Sequence, residues 1–297
     1  MAIVDEIKDS FRQGGVLTRL IYINIGAFLV TILIDIFFGM FQQEALGIWI
    51  KNLFAVPAYP SDLLFRPWTI FTYMFMHANF MHILFNMLML FWYGQIFLRY
   101  FNPRQLLGVY FLGGLAGAVL YIISYNLLPA LNNYAYSPTM VGASASVMAI
   151  IFAAASYAPN YKVHLILIGP VKIMYLAIGM LVMDLISIQS FSNTGGHLAH
   201  IGGALLGMYF ASRANKGKDL TLRFNRFMDW LVTAFSSKPK MKVTHSRNKR
   251  PMSDMDYNSN KRQKQGEIDR ILDKIKTSGY DSLTKKEKDD LFNASEN

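Results

Sequence analysis

The sequence predicts an all-α, polytopic membrane protein with a cytoplasmic helical C-terminal tail. Hydrophobic residues make up 53% of the chain and charged residues only 16%, whereas soluble domains carry about 25% charged residues. The apolar residues are grouped in stretches of the length that a membrane-spanning helix needs, about 20 residues. The charge is segregated: 20 of the 29 Lys and Arg residues and 12 of the 19 Asp and Glu residues lie after residue 211.

Six apolar stretches are predicted to span the membrane and to form one domain, residues 16–212, after a cytoplasmic N-terminal segment at residues 1–15. The predicted spans are Leu20–Phe38, His82–Phe101, Leu106–Leu128, Thr139–Tyr157, Ile173–Ile188 and His197–Ser212. The sixth is short, but its Gly203 and Gly207 form a small-xxx-small pair that suits close packing among other helices. The long segment between the first two spans is broken by prolines, so we expect it to lie on the outer leaflet.

The distribution of positive charge predicts the orientation of the spans. If the N-terminus is cytoplasmic, every inner segment carries Lys or Arg, whereas the outer connections at residues 126–138 and 189–196 carry none. Because Lys and Arg are enriched in cytoplasmic loops, both termini are predicted to be cytoplasmic, in a plasma or inner membrane. The basic tail is best explained by an anionic lipid leaflet, so the bilayer is an expected partner and nucleic acid is not.

The tail is predicted to have three parts. Residues 213–237 place apolar residues at helical spacing beside Arg223 and Arg226, which indicates an amphipathic basic helix on the inner leaflet. Residues 238–265 are polar and basic, so a disordered linker is expected. Residues 266–297 are predicted to form a small helical pair, in which Thr284-Lys-Lys-Glu287 is a capping box. The sequence does not identify a partner for this pair.

Polar residues of catalytic type lie near the outer ends of three predicted spans. Ser144 lies near the start of the fourth span and His200 near the start of the sixth, while His82 and Asn86 open the second. All three spans are entered from outside, so these side chains are expected in one slice of the membrane, one or two helical turns deep. Any one of these polar residues could simply be solvated at the membrane interface, near the end of its span. Solvation explains the presence of all of them poorly.

These residue types suit nucleophilic catalysis. A serine hydroxyl needs a base within hydrogen-bond reach, and histidine titrates near neutral pH. Ser144 is therefore a candidate nucleophile and His200 its candidate base. An acyl-transfer intermediate needs donors for its oxyanion, and the available ones are His82, Asn86 and the backbone N–H of Ser144. The sequence contains no Cys, which excludes a thiol nucleophile and disulfide bonds.

Together these motifs resemble those of the rhomboid intramembrane serine proteases. The matching strings are Gly142-Ala143-Ser144, Ala199-His200-x-x-Gly203-x-x-x-Gly207 and His77-x4-His82-x3-Asn86. The resemblance covers about residues 16–212 and implies a six-helix rhomboid bundle that cleaves single-span or otherwise membrane-anchored proteins in or next to their transmembrane segments, without a cofactor. It also implies a dyad of Ser144 and His200 with no carboxylate partner, and an oxyanion hole that includes His82 and Asn86.

Three positions depart from the family pattern. Ala145 stands where Gly usually follows the serine, and Met148 stands where an aromatic residue often packs on the histidine. The first outer segment contains Arg66-Pro67-Trp68 where many members have Trp-Arg. None of these departures removes a reacting group, so they bear on the shape of the pocket and on substrate preference.

The sequence leaves other residue assignments open. Ser146 competes with Ser144, although side chains two residues apart on a helix point about 200° from one another. Zinc binding by the histidines at positions 77, 82, 197 and 200 is an alternative, but no His-Glu-x-x-His motif occurs and no carboxylate belongs to the cluster, so no metal site is predicted. His77 and His197 remain supporting candidates. Asp184, in the fifth span, is expected to orient His200, to stabilise a gate or to be a hydrogen-bonded structural residue.

Two other functional classes are weighed against a protease. A catalytically inactive rhomboid-like protein that binds membrane clients typically lacks the serine or the histidine, and this chain has both. A transporter or channel would use the histidines as a relay, and it would show charged residues deep in the bundle and an inverted repeat. The sequence shows neither feature.

Overall fold

Helices account for most of the computed structural model, which describes residues 2–131, 138–165, 168–188, 193–235 and 254–295. The chain divides into two units, residues 1–237 and residues 238–297. The helices are α1 Ala2–Gln13, α2 Val16–Met40, α3 Glu44–Asn52, α4 Pro60–Phe65, α5 Thr69–Thr72, α6 Phe80–Phe97, α7 Pro103–Leu127, α8 Ser144–Tyr157, α9 Ile173–Ile188, α10 Thr194–Ala214, α11 Leu222–Phe235, α12 Asp254–Ser278 and α13 Lys285–Ser295. Two antiparallel two-stranded sheets pair β1 Val56–Pro57 with β2 Thr139–Met140, and β3 Lys162–Leu165 with β4 Gly169–Lys172.

The helices of the first unit are of membrane type. Among the described residues, α2, α6 and α7 are long and apolar enough to cross a bilayer. Helices α8 and α9 are apolar but have only 14 and 16 residues, or about 21 and 24 Å against a hydrocarbon core of about 30 Å. Helix α10 has 21 residues and is rich in glycine and alanine. Each predicted span overlaps one of these six helices, and the number that cross the membrane remains a prediction.

The outer surface of the first unit is apolar. Only 22% of the most apolar part of α2 is buried, and α9 also exposes large hydrophobic side chains. The exposed residues on these two helices include Leu29, Val30, Leu33, Ile36, Phe37, Tyr175, Ile178, Val182, Met183, Leu185 and Ile186. Soluble proteins rarely expose contiguous apolar surfaces of this extent, so this surface suits contact with lipid.

Helix α8 lies at the centre of the first unit. Eleven of its 14 residues are buried, and it contacts α6, α7, α9 and α10. The approach of α10 is closest, because a Cβ on Gly203 would lie 2.0 Å from the carbonyl oxygen of Ala145 and one on Gly207 would lie 2.3 Å from that of Ala149. The two glycines therefore allow backbone-to-backbone packing of α8 and α10, as their spacing predicts.

The fourth predicted span begins later than the sequence suggests. The prediction starts a helix at Thr139, but Thr139 and Met140 form β2, and Gly142 has a φ of +138°. That backbone conformation is open to glycine and disfavoured for other residues. Because the helix starts only at Ser144, this serine lies in its first turn and not in its second.

A capping box sets the start of α7, after a short connection from α6. Helix α6 ends at Phe97, four residues earlier than predicted, and α7 begins at Pro103. The side chain of Asn102 accepts from the N–H of Gln105, whose own side chain accepts from the N–H of Asn102, which is a complete capping box. Pro103 at the first helical position suits this start, since it has no N–H to satisfy.

Helix α11 packs against α7 and lies within the range predicted for an amphipathic helix. Nδ2 of Asn225 donates to the carbonyl oxygen of Arg104 at 3.1 Å, and the Arg104 guanidinium pairs with Asp229 at 3.3 Å. Phe227 and Trp230 remain exposed on α11. An exposed aromatic face beside basic residues is typical of a helix at a lipid interface.

The second unit contains α12 and α13, which contact one another. Nζ of Lys274 lies 3.0 Å from each carboxylate oxygen of Glu287. The same carboxylate accepts from the Thr284 N–H at 2.7 Å, and the N–H of Glu287 donates to the Thr284 hydroxyl oxygen at 3.4 Å. This is the capping box predicted for the start of α13.

The predicted disordered linker is wrong in its last part. Residues 254–265, assigned to the linker, form the first half of α12, while residues 238–253 lie outside the described residues. The helical part is rich in Lys, Arg and Gln, which are good helix formers. Polarity alone does not distinguish a solvated helix from a disordered chain, and this is why composition misled the prediction.

Candidate active site

Ser144 is the first residue of α8 and is positioned by the backbone that leads into the helix. The N–H of Gly142 donates to the carbonyl oxygen of Tyr73 at 2.9 Å, and pairing of β1 with β2 holds the preceding residues. A Cβ on Gly142 would lie 2.9 Å from Cε1 and Nε2 of His82 and 3.4 Å from Oγ of Ser144. The absence of a side chain at Gly142 therefore lets the His82 ring and the Ser144 hydroxyl approach the same stretch of backbone.

His82 and Asn86 lie one turn apart in the first half of α6. The side chain of Asn79 caps this helix by accepting from the N–H of His82 at 2.9 Å, and Nδ2 of Asn86 donates to the carbonyl oxygen of His82 at 2.9 Å. Ring atom Nδ1 of His82 accepts from the N–H of Ala78 at 3.4 Å. In a neutral ring this assigns the hydrogen to Nε2, so His82 presents an N–H donor on the side of Gly142.

His77 packs against His82 without entering the cavity described below. The two ring centroids are 5.2 Å apart in an edge-on arrangement, and His77 is only 5% exposed. Burial, together with the neighbouring His82 ring, lowers the pKa of His77 to about 4. His77 is therefore neutral at physiological pH, and its contact with His82 supports the orientation of that ring.

His200 is held by a carboxylate from the neighbouring helix. Its Nδ1 lies 2.8 Å from Oδ1 of Asp184 in α9, and Nδ1 of His197 lies 2.8 Å from the same oxygen. The side chains of Asp184, His197 and His200 are 11%, 18% and 20% exposed. The resemblance implies a dyad without a carboxylate partner, and the structure differs because α9 places Asp184 directly beside His200.

The predicted site residues line one open cavity of about 1070 Å³. Ser144, His200, His82 and Asn86, which come from three separate helices, all line it, and Asp184 lies in its wall as well. The remaining wall is largely apolar and includes Phe85, Met89, Val147, Met148, Tyr175, Leu176, Met180 and Met183. A few polar groups of catalytic type in a largely apolar cleft are the arrangement expected of a binding site for an apolar ligand.

Ser146 points away from this cavity. It is completely buried, and a Cβ on Gly114 in α7 would lie 2.8 Å from its Oγ. Its hydroxyl has no hydrogen-bond partner within the described part of the chain. The two serines therefore point in different directions, as expected, and Ser144 is the one that lines the cavity together with His82 and His200.

The metal alternative takes a different form from the four-histidine cluster considered above. Ligand atoms of Asp184, His197 and His200 all lie within 4.8 Å of one another, so the expectation that no carboxylate belongs to the cluster is wrong. Two ligands held about 2.0–2.1 Å from a tetrahedral zinc ion lie about 3.3 Å apart. The separations of 2.8 Å between the carboxylate and each ring nitrogen instead fit direct hydrogen bonds.

Sequence reasoning left the role of Asp184 undecided. The available signal is an acidic residue inside an apolar helix, where a charge is costly without a partner. Asp184 and His200 are separated by the connection between α9 and α10, so no helical spacing relates them. Their contact becomes visible only once the two helices are packed.

Comparison with known proteins agrees with this fold. A family model described as Rhomboid domain matches residues 65–214, and one described as a family of unknown function (DUF6576) matches residues 253–297. RHOMBOID-like protein 12, mitochondrial, of Arabidopsis thaliana is 30% identical over 158 residues, or 50% of this chain and 47% of that protein. Rhomboid-like protein 16, chloroplastic, of the same plant is 28% identical over 183 residues, 58% of this chain and 56% of that protein.

This chain spans about half the length of these two curated relatives. The Rhomboid domain match covers 150 of its 297 residues. It extends from the end of α4 to the end of α10, so it contains His82, Asn86, Ser144 and His200. The motifs, the helical bundle and the family match lead to one conclusion: the chain belongs to the rhomboid family.

Proposed function

We propose that this protein is an intramembrane serine endopeptidase that cleaves membrane-anchored proteins in or next to their transmembrane segments. The observation that carries the proposal is the meeting of Ser144, His200, His82 and Asn86 around one cavity. The apolar lining of the cavity suits a substrate segment drawn from a membrane. Membership of the rhomboid family supports the same reaction class.

Each of the four side chains has a task in the proposed reaction. The Ser144 hydroxyl attacks the carbonyl carbon of the scissile peptide bond while Nε2 of His200 takes its proton. His200 then gives this proton to the leaving amine, which leaves an ester on Ser144. A water molecule, deprotonated by His200, then attacks the ester carbonyl carbon, and His200 returns the proton to Oγ of Ser144 as the ester bond breaks, which releases the second fragment as a carboxylic acid and restores the free serine.

The oxyanion of the intermediate is stabilised by donors at the outer ends of α6 and α8. His82 offers its Nε2–H, since its Nδ1 accepts from a backbone N–H. Asn86 donates one amide hydrogen to a backbone carbonyl oxygen, and its second amide hydrogen is available to the oxyanion. The N–H of Ser144 belongs to the first turn of α8, where backbone donors have no partner within the helix. The positive end of the helix dipole at the same place favours a developing negative charge.

The proposed membrane arrangement has six spans, namely α2 and α6 through α10, and both termini in the cytoplasm. Helix α8 is short, but it is surrounded by other helices, so it need not match the full thickness of the bilayer. A reporter that is active only outside should be active when fused within residues 132–136 and silent after Ser212. Residues 132–136 lie outside the described residues, and the opposite reporter pattern would overturn the orientation.

Labelling by a serine-reactive fluorophosphonate tests the enzymatic proposal directly. Wild-type protein in detergent should be labelled, Ser144→Ala should not, and Ser146→Ala is the matched control on the same helix. Thermal unfolding of each variant separates loss of reactivity from loss of fold. If Ser146→Ala abolishes labelling and Ser144→Ala does not, the nucleophile is misassigned.

Co-expression with a panel of single-span proteins would then identify substrates, by mass spectrometry of fragments released by wild type and not by Ser144→Ala. A folded wild-type protein that is neither labelled nor proteolytic would instead be a catalytically inactive rhomboid-like protein that binds membrane clients.

A further inference from the structure

We infer that Asp184 is a positioning residue that holds His200 in the tautomer required of a general base. This rests on the proposed protease function and extends the dyad of Ser144 and His200 to a group of three. The supporting observation is the approach of two histidine Nδ1 atoms, from His200 and His197, to one oxygen of Asp184 at 2.8 Å each.

Hydrogen-bond chemistry determines where the protons lie. An ionised carboxylate only accepts hydrogen bonds, so each Nδ1 that faces Oδ1 of Asp184 carries a hydrogen. In the neutral His200 ring, Nε2 then has no hydrogen and presents a lone pair on the side of the ring away from Asp184. That lone pair is what a base needs to accept the proton of Ser144. The opposite tautomer, with hydrogen on Nε2, has no such capacity.

The neighbouring histidines favour the ionised form of Asp184, which accepts hydrogen bonds and does not donate them. Asp184 is 8% exposed, and a carboxylate withdrawn from water is costly unless it is hydrogen-bonded. His197 and His200 supply two donors to the same oxygen, and His197, one helical turn from His200, does so without taking part in proton transfer. When His200 accepts the Ser144 proton it becomes positively charged, and the contact with Asp184 becomes a charge-assisted hydrogen bond.

Two other roles for Asp184 predict different behaviour. A purely structural Asp184 would tie α9 to α10, and its loss would lower activity only as far as it lowers the folded fraction. A metal ligand would make activity depend on a divalent cation. The 2.8 Å separations favour direct hydrogen bonds over ligands that share a metal ion, and the experiment distinguishes all three roles.

The kinetic part of the experiment compares Asp184→Asn with Asp35→Asn. Asparagine has nearly the same shape, but its amide donates hydrogen bonds and so favours hydrogen on Nε2 of His200. We expect kcat to fall roughly 10³- to 10⁴-fold, with KM changed by only a few-fold, by analogy with soluble triads. Asp35 is the matched control, because it also lies in an apolar helix and pairs with a surface group, Lys51, away from the cavity. Its variant should keep wild-type kcat.

The spectroscopic part measures the tautomer itself. Protein labelled with 15N-histidine is placed in lipid nanodiscs, and the His200 signals are assigned by their loss in His200→Gln. Wild type should show hydrogen on Nδ1 of His200, and Asp184→Asn should show it on Nε2. The wild-type measurement keeps the test decisive even if the variant fails to fold.

Three results would overturn the inference. The first is hydrogen on Nε2 of His200 in wild type, and the second is an unchanged kcat in folded Asp184→Asn. The third is activity that is lost on treatment with EDTA and restored by Zn²⁺. Failure of the proposed function looks different, because wild-type protein would then not be labelled by the fluorophosphonate at all, whatever the tautomer of His200.

Discussion

Replacement of Gly203 by alanine is expected to reduce the proposed proteolytic activity strongly although it removes no reacting group. Gly203 lies in α10 one turn after His200, and its backbone lies against Ala145, the residue after Ser144. The added Cβ would be 2.0 Å from the Ala145 carbonyl oxygen, whereas real Cβ contacts essentially never fall below 3.0 Å. The two helices must therefore separate by at least about 1 Å at the level of the proposed catalytic pair, Ser144 and His200.

This separation sets the expected magnitudes. Misplacement of reacting groups by about 1 Å lowers catalytic rates by roughly 10²-fold. Overpacking of a tight interior contact costs about 1–3 kcal/mol of unfolding free energy. We therefore expect Gly203→Ala to reduce turnover about 100-fold while the protein still folds, with a lowered thermal midpoint.

The assay is cleavage of a single-span model substrate in detergent, with thermal unfolding measured on the same samples. Gly26→Ala in α2 is the matched control, because a Cβ there meets nothing within 4 Å. Helix propensity alone favours alanine over glycine by about 1 kcal/mol, so the control should be active and at least as stable as wild type. Wild-type turnover in Gly203→Ala, or an equal loss in Gly26→Ala, would refute the idea that the contact between α8 and α10 sets the distance from Ser144 to His200.

Three other outcomes are expected. Asn86→Ala removes one oxyanion donor and should lower kcat roughly 10²- to 10³-fold in the same cleavage assay, so activity at the wild-type level would remove Asn86 from the oxyanion hole. Truncation after Ser236 should leave turnover within several-fold of wild type, because the candidate catalytic residues all lie in residues 16–212; complete loss in a folded protein would place the tail in the catalytic unit. Hydrogen bonds from the Thr284 backbone and from Lys274 lower the pKa of Glu287 from 4.5 to about 2, so their contribution to α13 is fully present above pH 4.5 and is lost as the pH falls toward 2. Hydrogen exchange at the start of α13 in the full-length protein, corrected for intrinsic rates, should show this loss of protection in wild type and not in Glu287→Gln, and identical profiles would contradict it.

The sequence by itself determined the membrane character of the chain and supplied the candidate residues for its proposed chemistry. Span length, hydropathy and helix caps are local properties, so α9 coincides with its predicted range of Ile173–Ile188 and the capping box of α13 is found where it was expected. The motifs around Ser144 and His200 likewise identified the family, since residue types and their spacing can be read from the sequence without a structure. Local composition failed in the first half of α12, because a polar segment can be either a solvated helix or a disordered chain, and it misplaced the start of α8 and the end of α6 by a few residues.

Tertiary structure alone decided how the chemical groups face one another. Strand pairing and the backbone of Gly142 delay the start of α8 until Ser144, and packing against α7 turns Ser146 away from the cavity. The contact of Asp184 with His200 joins two helices across a connection. Such contacts depend on how whole helices pack, which arises from many weak interactions between residues distant in sequence, so no spacing along the chain encodes them.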